Sequence, residues 1–352
     1  MERQPSGTGR ELEDSQELPR LPREGGPGDL ARHPCRALHR PGARAPSQPS
    51  KYQKAFKQGA TILPRNFYFV RVADLNGNPD PDRQYWADTD PDQAEKAQPP
   101  YDDVEMKGMV EGRFLFTTAL SRHVVPFAHF DPANIVLPVN ANDGSLTVVE
   151  SPKLMDSGYR EFGVWMRKAE ELWNTKRGDK ADKQTICQWL DYQSKLTAQN
   201  LCQRHLVLYN AAGTNVSATY FDRHEYPTFV VEHKLYWGAF ADPQEAHYVA
   251  AVFNSDVPNQ AIKPFQSTGL MGERDIEKKL LELPIPLFDP ADALHRKLSE
   301  MGLIARAAAG EAIKSGNFPA GGLLARQRGF VRTHLEAELK EIDKLVAKLL
   351  SK

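Results

Sequence analysis

The sequence lacks the features of a membrane protein or a secreted protein. No stretch approaches the roughly 18 consecutive apolar residues that a membrane-spanning helix needs, and the N-terminus has no charged segment followed by an apolar one. Cysteine is scarce: Cys35, Cys187 and Cys202 lie far apart, which favours neither a disulfide framework nor a structural zinc site. We therefore expect a cytoplasmic protein with no membrane contact.

The motifs of common enzyme classes are also missing. The chain contains no GxGxxG after a strand, no GxxxxGK[ST], no HExxH and no GxSxG, and its histidines lack metal-ligand spacing. We therefore expect neither catalytic residues nor a metal site. A formal net charge of -1 excludes a histone-like polycation, but not a nucleic-acid binder whose basic and acidic residues are segregated along the chain.

Residues 1–50 differ in composition from the rest of the chain. They contain no Lys, Asn, Ile, Val, Phe, Tyr or Trp and are built largely from Arg, Pro, Gly, Glu, Ser and Leu. Such a segment cannot bury enough apolar surface to offset the entropy of ordering it, so we expect a disordered tail. Two alternatives remain open, namely a basic arm for nucleic acid and a stretch translated from a wrong upstream start.

From Lys51 onward the pattern is typical of a folded α+β protein. Aromatic and β-branched runs predict strands at 67–72, 205–210, 216–221 and 228–237. Periodic apolar residues predict helices at 158–174 and at about 183–197. Asp242, followed by Pro243 and Glu245, predicts a helix start. The same pattern of an Asp cap, a Pro and a later acidic residue recurs at 289–292.

The C-terminal part of the chain predicts a long helical hairpin. One helix follows residue 292, and a Pro-Ala-Gly-Gly break at 319–322 precedes the next. The last helix carries an apolar seam in heptad spacing, formed by Leu335, Leu339, Ile342, Val346 and Leu349. A seam of about two heptads favours packing within the chain, and an oligomer contact is the alternative.

Three polar stretches are candidates for binding. Residues 51–73 contain no acidic residue but five basic ones, interleaved with amides and aromatics that suit phosphate and base-edge contacts. A Gly-centred loop at 209–215 lies between two predicted strands, and two glycines bracket a loop within 263–279. An exposed basic strand and an ordinary hairpin turn are the simpler interpretations of the first two stretches.

The order of several short motifs resembles a known family. Ala-Val-Phe-Asn-Ser at 251–255, the glycine-containing loop after it and Leu-Pro-Ile-Pro at 283–286 look like the end of a target-recognition domain. Such domains occur in type I specificity subunits and as TaqI-like C-terminal regions of adenine-specific DNA methyltransferases, including type IIG restriction-modification enzymes. Residues 58–65, 208–215 and 272–276 are similar to the same class.

The resemblance covers about residues 51–315 and implies a specific organisation. A mixed-sheet target-recognition domain would occupy residues 51–290, and the helical hairpin at 291–352 would be a spacer or docking segment. The chain would bind double-stranded DNA sequence-specifically as part of a methyltransferase or restriction-modification system. Because the cofactor loop and the authentic (N/D)PPY loop are absent, we expect no cofactor bound by this chain. S-adenosylmethionine would then be bound by a catalytic domain supplied in trans.

The resemblance and the polar stretches together give candidate DNA contacts. Phosphate contacts are expected from basic side chains, namely Lys57, Arg65 and Lys195. Base edges would be contacted by Asn66, Asn215 and Arg274. Thr214, Gly269 and Gly272 would shape the approach to DNA. Gln58 and Lys278 complete the candidate DNA-binding residues.

Two other functions remain open. Gln-Pro-Pro-Tyr at 98–101 resembles the (N/D)PPY loop of amino-group DNA methyltransferases, in which the Tyr stacks on a flipped base. On that interpretation the chain would be a complete small adenine methyltransferase, although Gln is one methylene too long for the first position and no glycine-rich loop precedes it. An inactive gene remnant would show no sequence-selective DNA binding.

Overall fold

The computed structural model describes residues 49–181, 183–269 and 272–351, and these belong to one compact unit. The predicted tail up to residue 48 lies outside the described residues. The predicted α+β class is confirmed, because mixed sheets are followed by C-terminal helices. None of the described helices is long and apolar enough to cross a membrane.

Short strands and helices alternate along the chain. The strands are β1 (Lys57–Gln58), β2 (Phe69–Val72), β3 (Gln84–Thr89), β4 (Lys107–Glu111), β5 (Leu115–Ala119), β6 (Val124–Val125), β7 (Ala128–His129), β8 (Ala133–Val136), β9 (Val139–Asn142), β10 (Ser145–Val148), β11 (His205–Asn210), β12 (Ala218–Asp222), β13 (Phe229–Val231), β14 (Leu235–Phe240), β15 (Thr268–Gly269) and β16 (Gly272–Glu273). The α-helices are α1 (Arg65–Tyr68), α2 (Pro91–Ala94), α3 (Ser151–Asp156), α4 (Arg160–Lys176), α5 (Ile186–Leu190), α6 (Pro243–Asn254), α7 (Asp256–Ile262), α8 (Ala293–Lys314), α9 (Leu324–His334) and α10 (Glu336–Leu350).

The larger sheet has six strands in the order β13-β5-β8-β2-β3-β4. β13 pairs parallel to β5 and the other neighbours pair antiparallel, so the sheet is mixed. Helix α4 belongs to the same hydrophobic core. Its apolar residues recur every three or four positions, which places them on one buried face: Phe162, Trp165, Met166, Ala169 and Trp173.

The second sheet is antiparallel, in the order β1-β14-β11-β12. Helix α6 packs against this sheet and is capped by Asp242, whose carboxylate accepts a hydrogen bond from the Gln244 backbone N–H at 2.8 Å. At the other end of α6, the buried Asn254 amide holds Ala218 of β12: Oδ1 accepts from Ala218 N at 2.9 Å and Nδ2 donates to Ala218 O at 2.8 Å. Ser255 Oγ donates to Asp343 Oδ1 at 2.6 Å. The Asn-Ser pair therefore fastens α6 to the sheet and to α10.

The chain passes from the larger sheet to the smaller one at residues 232–234. The sequence predicts one strand over 228–237, but β13 and β14 lie in different sheets. Glu232, at the crossing, is fully buried; its carboxylate binds Arg65 Nη2 at 2.9 Å and accepts the Lys234 N–H at 2.7 Å. Burial alone would raise the pKa of Glu232, but the neighbouring His233 ring, the Arg65 charge and the Lys234 N–H hydrogen bond lower it. This buried carboxylate fixes the turn between the sheets.

The predicted C-terminal helices are present, but they number three in the described residues: α8 precedes the break at 319–322, and α9 and α10 follow it, divided at Leu335, where a single helix was predicted. Helix α8 packs on α6, and its N-cap is Asp292, which accepts from the backbone N–H groups of Leu294 and His295. The heptad seam of the last helix is buried within the chain, as predicted: Leu335, Leu339, Ile342, Val346 and Leu349. The predicted domain boundary at residue 290 stays a prediction.

Candidate functional site

A lysine-rich cleft of about 770 Å³ opens beside strand β1. Residues from four separate parts of the chain line it: Gln53, Lys54, Phe56, Lys57, Gln58, Gln193, Ser194, Lys195, Ala198, Tyr236, Trp237 and Lys278. The described lining contains four lysines and no aspartate or glutamate. Four of the predicted DNA-binding residues, namely Lys57, Gln58, Lys195 and Lys278, therefore meet in one place.

Strand pairing explains the position of the first two of these residues. β1 pairs with β14, with Lys57 opposite Trp237 and Gln58 opposite Tyr236. Because successive side chains of a strand point to opposite faces, Phe56 enters the core and Lys57 remains exposed. The indole Nε1 of Trp237 is buried and makes no hydrogen bond within the described residues. The cleft therefore has aromatic residues at its base and lysines at its rim.

The positive charge of the cleft is not neutralised by any carboxylate among the described residues. Within the described residues, Lys54, Lys57, Lys195 and Lys278 form no ion pair with a carboxylate. Burial and the nearby charge of Lys278 lower the pKa of Lys195. The Lys195 ammonium instead donates to Gln58 Oε1 at 2.9 Å. Uncompensated ammonium groups in a cleft are suited to binding an anion.

A loop at 191–197 supplies one wall of the cleft. Asp191 closes it: its carboxylate accepts from the backbone N–H groups of Leu196 and Thr197, each at 3.0 Å, and from Thr197 Oγ1 at 2.8 Å. Gln193 and Ser194 both have left-handed backbones, with φ of 58° and 55°. The predicted helix at 183–197 is therefore wrong beyond Leu190, where α5 ends.

The exposed ring of Tyr192 lies next to this wall. Its side chain is 43% exposed, its ring centroid is 6.3 Å from that of Trp189, and the Lys195 ammonium is 6.0 Å from the Tyr192 ring centroid. Tyr192, Gln193 and Ser194 were not among the predicted site residues. The apolar periodicity of the sequence predicted a helix over these residues, so it gave no sign that they form a loop beside the cleft.

The other predicted contacts gather at a pair of loops. Gly213 N donates to Arg274 O at 2.6 Å, and Gln266 Nε2 donates to Gly213 O at 3.0 Å. Ala212 and Asp275 form an isolated antiparallel β-bridge. In the second loop Gly269 pairs with Gly272 across β15 and β16. The structure thus brings together residues from both polar loops of the sequence, namely Thr214, Asn215, Gly269, Gly272 and Arg274. Thr214 and Arg274 are exposed.

The paired loops connect directly to the cleft. Ala211 O accepts hydrogen bonds from the backbone N–H groups of Ile276 at 3.1 Å and Glu277 at 2.9 Å. Tyr209 Oη donates to Glu277 O at 2.7 Å. The next residue, Lys278, lines the cleft. The cleft and the loops therefore share one short, well-anchored segment of chain.

Arg65 and Asn66 lie outside this surface. Arg65 binds the buried Glu232 and donates to Gln93 Oε1 at 3.1 Å. Asn66 is 1% exposed, and its amide nitrogen donates to the backbone oxygens of Tyr101 at 3.0 Å and Val104 at 2.9 Å. The base contact predicted for Asn66 conflicts with its burial, whereas Arg65 is partly exposed and engaged in an ion pair, so its phosphate contact stays a prediction.

The Gln-Pro-Pro-Tyr motif at 98–101 packs its tyrosine against the core of the larger sheet. The ring of Tyr101 stacks on Trp173, with centroids 6.1 Å apart and planes at 10°, and meets Phe67 edge-on at 5.5 Å. A ring already packed into the core of the larger sheet is not available to stack on a flipped base.

Among the residues that the structure describes, no group of three His, Cys, Asp or Glu side chains could hold a metal ion.

Comparison with known proteins gives structural neighbours only. No protein-family model matches the chain, and no curated protein matches it. MmeI, a type IIL restriction-modification enzyme whose structure was solved in complex with DNA, is similar over 88% of this chain, with a TM-score of 0.50 and 11% identity. The fold resembles that of a part of MmeI.

A second neighbour is the type IIG restriction endonuclease BpuSI, similar over 68% of this chain with a TM-score of 0.31 and 15% identity. The present chain spans 34% of the MmeI chain and 26% of the BpuSI chain. The structural neighbours are thus type II restriction-modification enzymes much longer than this chain.

Proposed function

We propose that this chain is the DNA target-recognition part of a restriction-modification system. The observation that carries the proposal is the cleft, in which four lysines without a carboxylate partner in the described part of the chain lie beside glutamine side chains. Ammonium groups contact phosphates and amide groups contact base edges, so the combination suits duplex DNA. The fold similarity to a part of MmeI, a protein that was solved with DNA, supports the same proposal.

In this proposal the cleft lysines hold the phosphate backbone and the paired loops extend the same DNA-binding face. Lys57, Lys195 and Lys278 contact phosphates, while Thr214, Asn215 and Arg274 approach the bases. Methyl transfer is assigned to a separate catalytic domain that binds S-adenosylmethionine. The packed ring of Tyr101 supports this division, because a complete methyltransferase would need that ring free.

The test is the salt dependence of DNA binding by the full chain. Binding of a fluorescent duplex is followed by anisotropy between 50 and 300 mM KCl, for wild type and for the triple variant Lys57→Gln, Lys195→Gln and Lys278→Gln. Each phosphate contact contributes a slope of about -0.9 to log K against log salt concentration, so losing three should make the slope shallower by about 2.7. Affinity at 0.1 M salt should fall on the order of 100-fold.

A matched control removes the same charge from the C-terminal helices. The variant Lys297→Gln, Lys340→Gln and Lys344→Gln changes three lysines outside the cleft, each in a surface ion pair of small energetic value. We expect its slope to stay within about 0.5 of wild type. Equal losses in the two triple variants would mean that the cleft is not the DNA site, and absence of wild-type binding would refute the proposed function.

A further inference from the structure

The left-handed loop in the cleft wall carries a conformational cost. Gln193 and Ser194 are consecutive non-glycine residues with φ of 58° and 55°. A side chain in this region is disfavoured, and such residues persist only where the surroundings enforce them. The enforcing contacts come from Asp191, which binds Leu196 and Thr197. The side chains of Gln193 and Ser194 make no hydrogen bond within the described residues.

The loop therefore presents a free amide to the cleft. Gln193 is exposed and lines the cleft together with Gln53, whose side chain likewise makes no hydrogen bond within the described residues. Gln58 differs, since Lys195 donates to its Oε1 and its Nε2 donates to His233 O at 3.0 Å. Two of the three glutamines in the cleft thus keep a donor and an acceptor for a ligand.

A glutamine amide matches one base edge in particular. Its oxygen accepts from N6 of adenine and its nitrogen donates to N7, which gives a bidentate contact in the major groove. The lysines around Gln193 would hold the adjoining phosphates in register, as backbone contacts do in other complexes. Because the hydrogen bonds of Asp191 hold the loop, its backbone needs little ordering on binding.

We propose that Gln193 is a specificity-determining residue that reads an adenine of the DNA target, with Gln53 contacting the neighbouring step. This inference rests on the proposed DNA-binding function of the same cleft. It assigns the positive φ of Gln193 and Ser194 a role: the left-handed backbone turns the amide towards the ligand at the expense of stability. Glycine at position 193 would relieve the backbone cost and remove the contact.

The experiment is selection from a random duplex library by the full chain, followed by sequencing. Wild type is expected to enrich a motif with an adenine that Gln193→Ala no longer prefers, the preference falling about 5- to 150-fold at that position. The salt slope of Gln193→Ala should equal that of wild type, because no phosphate contact is lost. Gln84→Ala, which changes an exposed glutamine of β3 outside the cleft, should enrich the wild-type motif unchanged.

A second variant separates loss of contact from loss of folding. Gln193→Gly should raise the melting temperature by about 2 °C and still lose the adenine preference. A lower melting temperature for Gln193→Gly would overturn the assignment of backbone strain. If wild type enriches a motif and Gln193→Ala enriches the same one, Gln193 does not read DNA, whereas an unenriched wild-type pool would count against the proposed function itself.

Discussion

Lowering the pH from 7.5 to 5.5 should destabilise this protein through three histidines, of which His123 and His247 are buried and His129 is partly buried. Burial lowers the pKa of His123 to about 3, helped by the charge of Arg122, and lowers those of His129 and His247 to about 4, helped by Arg306. The environment of His123 adds a second cost. Its ring nitrogens face the Leu120 N–H at 3.2 Å and the Arg122 Nε–H at 3.0 Å. The neutral ring has one lone pair and accepts from one of these donors, whereas the protonated ring has none and accepts from neither.

The size of the effect follows from proton linkage. In the unfolded chain each histidine titrates near its ordinary value of about 6.5, whereas the folded protein keeps all three neutral down to about pH 4. The unfolded state therefore binds more protons below pH 6.5, and stability is full above that pH and falls below it. Each histidine costs about 1.3 kcal/mol between pH 7.5 and 5.5, so together they cost about 4 kcal/mol.

Urea unfolding followed by tryptophan fluorescence at pH 7.5, 6.5 and 5.5 measures this loss. Total stabilities of domains are about 5–15 kcal/mol, so the predicted loss is large. Replacing His129 with Gln should remove about a third of the pH dependence. Since burial is not screened by ions, the loss should persist in 1 M KCl. A change below about 1 kcal/mol over this range would show that these rings are not buried as neutral groups.

Two further predictions concern the packing that supports the site. A Cβ at Gly302 would lie 2.3 Å from His247 O on α6, so Gly302→Ala should cost about 1–3 kcal/mol, whereas Gly310→Ala on the same helix meets nothing within 4 Å and should stabilise by about 0.5–1 kcal/mol. Equal effects in thermal unfolding would contradict the close helix contact. Asn254→Ala leaves the buried Ala218 N–H without its acceptor and should lower the free energy of urea unfolding by about 2 kcal/mol, and a loss under 0.5 kcal/mol would disprove that role.

Features that depend on neighbouring residues could be predicted from the sequence. The Asp242 cap and the start of α6 follow from three residues within four positions, and the buried seam of α10 follows from heptad spacing. The second cap was misplaced by one turn: the Asp289 carboxylate accepts from the Ala291 N–H, which precedes the helix, and Asp292 caps α8. Two Asp residues three apart offer the same local signal, and the wider packing of α8 chooses between them.

Features that depend on distant residues could not be predicted in this way. The run at 228–237 has the composition of one strand, yet its halves pair with β5 and β11 in different sheets. Arg65 belongs to a basic stretch, but its partner Glu232 is 167 positions away in the sequence. The cleft likewise needs Lys195 and Lys278 folded against β1. Residue type indicated which side chains could contact an anion. Only the tertiary contacts decide which of these side chains are already paired within the protein and which are free.

The buried carboxylate at the crossing between the sheets has a mechanical consequence. β14, which forms the base of the cleft, continues through Glu232 into β13 of the six-stranded sheet, and Arg65 ties the same carboxylate to α1. A force on the cleft is therefore transmitted to the larger sheet instead of being absorbed by a hinge. For the proposed DNA binding, the entropy of ordering such a platform is lost during folding, not during binding.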